Sequence, residues 1–218
     1  MGCSCSAPGP QNPAPGFRRA LWLALWVNLA MFLIEGWASF QSGSVSLMAD
    51  AIDFFGDSAN YLLSLSVLSM GLVWRGRAAL IKGATMAVFG IVVWLRAIWV
   101  AQSGITPEPL TMGAVGFLAL VANVVVAAML FRFRSGDSDM RSVWLCSRND
   151  AIGNVAVMAA ALGVFGTGTA WPDLAVAGIM GTLASTAGIS VVGHARSDIA
   201  RARQTGTSQP VPANSGMR

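Results

Sequence analysis

Six apolar runs dominate the chain, at residues 20–40, 46–73, 79–101, 110–131, 142–165 and 174–193. A helix needs roughly 20 apolar residues to cross a hydrocarbon core of about 30 Å. In hydrocarbon the backbone must satisfy its own polar groups, and runs of this length do so as helices. The connections at 41–45, 102–109 and 166–173 are short and rich in Gly, Ser or Pro. The expected fold is an all-α membrane protein with six transmembrane helices in residues 18–195. Residues 1–17 and 196–218 read as disordered tails. The first run is too long for a signal-peptide core and lacks a clean cleavage site, so it is expected to be retained.

Composition narrows the class. The chain is 55% hydrophobic and 11% charged, with a mean hydropathy of +0.61; soluble domains carry about 25% charged residues. Such a chain is neither disordered nor a soluble enzyme. The net charge of +4 would favour nucleic acid in a soluble protein. Here the basic residues flank the apolar runs, so the expected partner is the lipid bilayer and not nucleic acid. Arg18 and Arg19 precede the first run; Arg75 and Arg77 follow the second, with Lys82 just beyond. Arg132, Arg134 and Arg141 separate the fourth and fifth, and Arg196, Arg201 and Arg203 follow the sixth. The opposite loops carry no Lys or Arg, which puts both termini in the cytosol. Three cysteines, Cys3, Cys5 and Cys146, make no disulfide framework. Gly178, Gly181, Ser185 and Gly188 read as close-packing positions between helices.

A charged side chain within a membrane span is a functional candidate, because burying it is costly. Glu35 falls in the first span, Asp50, Asp53 and Asp57 in the second, Arg96 in the third, and Arg148 and Asp150 in the fifth. Asp53 and Asp57 are four apart and Asp50 is three before Asp53, so the three acids share one helix face. Cys146 and Asp150 repeat the four-residue spacing. At 1.5 Å per residue, Asp57 and Asp150 both reach the bilayer midplane. Facing each other, the two pairs supply three carboxylates and one sulfur, a donor set for a tetrahedral divalent metal. Blander readings compete. A single acid can pair with Arg148 or Arg96, and a lone Cys146 is by default a small buried hydrophobe. Three acids on one face outnumber the nearby bases.

The second span, with Ser46-Leu47-Met48-Ala49-Asp50-Ala51-Ile52-Asp53 and Asp57, resembles that of the cation diffusion facilitator family. Asn28 and Glu35 in the first span, Ser42-Gly43-Ser44, and Asp150-Ala151 in the fifth extend the match. The resemblance implies a transport site made of Asp53, Asp57, Cys146 and Asp150. It implies a homodimer that exports zinc and related divalent ions from the cytosol in exchange for protons. The metal is then the substrate, and no cofactor is expected. Cys146 stands where the family commonly has His, which admits cadmium, cobalt or mercury. The 131–142 loop has no His, and about 25 residues follow the sixth run, which implies a truncated facilitator without the family's C-terminal cytosolic domain.

Carboxylates held out of water carry protons in the absence of a cation, and a metal must displace them to bind. That exchange, with alternating access to a midplane site, needs no nucleotide. The bacterial cytoplasmic membrane is the expected location. An enzyme is not expected, since no nucleophile or phosphate loop is present and the only histidine, His194, ends a span. The alternative is a non-transporting metal sensor or structural subunit. A channel is disfavoured, because a tight four-ligand site holds its ion.

Overall fold

The computed structural model describes residues 16–66, 72–133 and 138–208. Residues 1–15, with Cys3 and Cys5, and the last ten residues lie outside that range, as does Arg134. Among the described residues all regular structure is helical. The six helices are α1 Phe17–Ser42, α2 Val45–Ser66, α3 Leu72–Ser103, α4 Pro109–Phe131, α5 Ser138–Thr167 and α6 Trp171–Ser208. The end of the expected second span falls partly on residues 67–71, outside the described range, and α6 continues past the expected 193 into the stretch read as tail.

Five of the six helices are long and apolar enough to cross a membrane. The other is α2, where Asp50, Asp53 and Asp57 interrupt the apolar run. Fourteen of its 22 residues are buried, so neighbouring helices shield it. Large apolar side chains elsewhere face outward: Leu33, Trp37 and Phe40 on α1, Leu110 and Phe117 on α4, Leu162 and Phe165 on α5. In water a surface of this kind would drive association; against lipid tails it is ordinary.

The helices pack antiparallel in pairs, α1 with α2 and α4 with α5, and the two pairs join through α1–α4 and α2–α5 contacts. The third pair, α3 with α6, makes the most extensive contact and meets the rest through α2 and α5. Small residues set its closeness. A Cβ on Gly188 would lie 2.6 Å from the Gly83 carbonyl oxygen, and one on Gly83 would lie 2.9 Å from that of Gly188. Ser185 and Gly181, about one and two turns before Gly188 on α6, meet Gly90.

The end where α2 and α6 begin is tied by polar contacts. Gly43 ends α1 with a φ of 72°, a left-handed turn that favours glycine. The hydroxyl of Ser44 then accepts from the Leu47 amide at 3.1 Å, opening α2. Asp173, in the first turn of α6 and fully buried, accepts from Ser44 Oγ at 2.7 Å, Val45 N at 2.8 Å and Ser46 N at 3.0 Å. Its negative charge sits at the positive end of the α2 dipole. On the same side, Glu108 caps α4 by accepting from Leu110 N and Thr111 N. The Thr111 bonds hold its exposed carboxyl below the usual glutamate range.

Candidate metal centre

The acids of α2 emerge from helix phase. Asp50, Asp53, Asp57 and Asn60 lie at intervals of three and four residues, which places them along one stripe. That stripe faces α5 and the space between the four-helix group and the α3–α6 pair. Asp53, Asp57 and Asp150 line a cavity of about 240 Å³ bounded by α2, α3, α5 and α6. On their other side the same three carboxyls, with Asp50, line a tight crevice that Asn28 of α1 and Asn123 of α4 close. The carboxyl group of Asp150 lies within hydrogen-bonding reach of both Asp53 and Asp57.

Carboxylates bring no donor to one another unless a proton is shared. Accordingly, Asp150 Oδ2 and Asp50 Oδ2 accept no hydrogen bond, although both are buried atoms. The same holds for both oxygens of Glu35, for Asn28 Oδ1 and for the whole Asn154 amide. Orphaned buried acceptors are rare in native proteins and call for a chemical partner. A concentration of oxygen acceptors beside three acids suits a cation, protons, or an exchange of the two. In this conformation the carboxyls meet in pairs about Asp150. Among the described residues no three Asp, Glu, His or Cys side chains converge closely enough to hold one ion.

The sulfur stands apart. Cys146, one turn from Asp150, is buried but lines neither the cavity nor the crevice. It is disulfide-bonded in this structure, so ligation would require its thiol form. Arg148 does not cover Asp150: its guanidinium donates to Asn149 Oδ1 at 3.2 Å and stacks over the Trp144 ring at 5.4 Å. Arg96 stacks over Trp99, away from the acids. Glu35 is fully buried and lies beside Asp50, forming a second acidic pair nearer the Asp173 end of the bundle.

Known proteins can be set beside this geometry. No family model matches the chain. The metal cation efflux system protein CzcD of Cupriavidus metallidurans is 23% identical over 178 residues, covering 76% of this chain and 56% of that protein. The cation efflux system protein CzcD of an Alcaligenes species matches over the same extent at the same identity. The chain is a homologue of these cation efflux proteins. It spans about half their length. The homology agrees with the resemblance carried by the second-span motif, and together with the apolar helices it makes the chain a multi-pass membrane protein.

Three side chains at the centre were not singled out by sequence. Tyr61, the only tyrosine, donates to Asp57 Oδ2 at 3.3 Å and lies 2.9 Å from the Ser147 hydroxyl, joining α2 to α5. Its place four residues after Asp57 was the available signal. Asn123 had none beyond polarity in an apolar run. Lys82, read as a flanking basic residue, is buried and lines the cavity.

Proposed function

We propose that this chain is a secondary transporter that exports divalent metal cations, zinc and also cadmium or cobalt, from the cytosol in exchange for protons. The observation that carries this reading is the meeting of Asp53, Asp57 and Asp150 inside the bundle, among buried oxygens that have no protein donor. The names of both relatives, as cation efflux system proteins, support it.

In this account Asp53 and Asp57 of α2 and Asp150 of α5 bind the ion, with Cys146 joining in its thiol form. Side-chain rotation about Asp150 draws the carboxyls around the metal. The ligands must lose their protons to bind it, so metal entry and proton release are linked in one step. Tyr61 holds Asp57 towards α5 through Ser147. The homodimer rests on the family resemblance alone. The bacterial cytoplasmic membrane rests on the sources of the relatives and on the flanking arginines.

The reading is tested in a zinc-sensitive bacterial host. Expression of the chain restores growth on zinc, whereas Asp57→Ala and Asp150→Ala reach the membrane in equal amount and do not. Growth restored equally by both variants would overturn the site assignment.

A further inference from the structure

The cavity beside the acids contains a positive charge from the chain itself. Lys82 is the only lysine of the chain, and on α3 it is 8% exposed. It lines the same cavity as Asp53, Asp57 and Asp150, and its charge acts on both Asp53 and Asp57. Met86, one turn further along α3, touches Gly56, where an added Cβ would lie 3.3 Å from its Cε. Lys82 therefore lies one turn from that contact, towards the start of α3. An ammonium on a four-carbon stem is a mobile, compact charge that reaches several positions from one backbone site. Charges within a membrane protein persist by pairing, so this lysine and these aspartates stabilise one another.

Charge balance gives the pairing a purpose. A divalent cation neutralises two of three carboxylates and leaves one negative charge. We propose that the Lys82 ammonium is a tethered counter-ion to the Asp53–Asp57–Asp150 cluster, balancing the carboxylate that a divalent cation leaves uncompensated and weakening the hold on the metal. The inference rests on the transport-site reading above. Lys82 touches no substrate in this account. It is a positioning and affinity-setting residue that keeps the loaded centre close to neutral. Through a medium less polarisable than water, its charge opposes the incoming metal across several ångströms.

The test is titration of zinc into the full chain in detergent micelles, comparing wild type with Lys82→Met, Lys82→Arg and Asp57→Ala. Lys82→Met is expected to bind zinc about tenfold more tightly or better, since a like charge has been removed from beside the ion. Lys82→Arg, which keeps the charge, is expected to stay within about threefold of wild type. A merely structural lysine would give weaker binding on removal, so a gain in affinity separates the two roles. Lys82→Gln serves as the uncharged variant if Lys82→Met fails to elute as a single species. Unchanged or weaker zinc binding in the folded uncharged variant, with Asp57→Ala inactive in binding, overturns the counter-ion and leaves the site standing. Wild-type affinity in Asp57→Ala overturns the site reading and the counter-ion with it.

Discussion

Asp57 accepts a hydrogen bond from the Tyr61 hydroxyl. That hydroxyl also pairs with Ser147, so removing it deletes the bond to the carboxylate and cuts a tie between α2 and α5. Tyr61→Phe and Ser147→Ala are each expected to cost about 1 kcal/mol of stability. Their effects should be non-additive, because both act on one network. Thermal melts of the two single variants and the double variant check this; full additivity would contradict it. At this scale the acids of α2 were legible, because intramembrane charge is rare and helix phase alone puts Asp50, Asp53 and Asp57 on one stripe. Lys82 was not, because five residues after Arg77 it reads as part of a flanking basic cluster. Only the approach of α3 to α2 at Gly56 and Met86 turns it towards the acids. The separation of Cys146 from the cavity was also beyond reach, since the four-residue spacing to Asp150 fixes a face and not a contact.

The helices were legible as units, from runs too long and too apolar for anything else. Their ends were less so. The run that suggested a second span to residue 73 covers α2 as far as Ser66 and the first two residues of α3, Leu72 and Val73, with residues 67–71 outside the described range. The latch at the other end of α2 was hidden as well: Asp173 reads as a loop acid, yet it is fully buried against Ser44, Val45 and Ser46. Hydrogen bonds to a charged group contribute about 1.5–3 kcal/mol, and leaving their donors buried adds to the loss. Asp173→Ala should therefore lower the melting temperature by several degrees, while Asp57→Ala lowers it little. Equal melting of Asp173→Ala and wild type would remove the latch from the account. The glycine crossing belongs to the same scale. Gly188→Leu meets the backbone of Gly83 and Ala87, which cannot move aside as a side chain can, and should separate α3 from α6. Loss of the folded species on size-exclusion chromatography is the expected result; unaltered elution and melting would contradict it.

The described helices form a four-helix group and an α3–α6 pair, with a cavity between them lined by carboxylates. In this account the ion enters that cavity, meets Asp53, Asp57 and Asp150, and leaves when protons replace it. Both the efflux of the relatives and the unpartnered oxygens agree with that exchange. The direct test is zinc flux in proteoliposomes under an imposed pH gradient, with wild type and Asp57→Ala. The account predicts wild-type flux that reverses when the gradient is reversed, and no flux above empty vesicles for Asp57→Ala. Zinc bound by the wild type without flux in either direction of the gradient would contradict the transporter and favour a metal-binding membrane subunit.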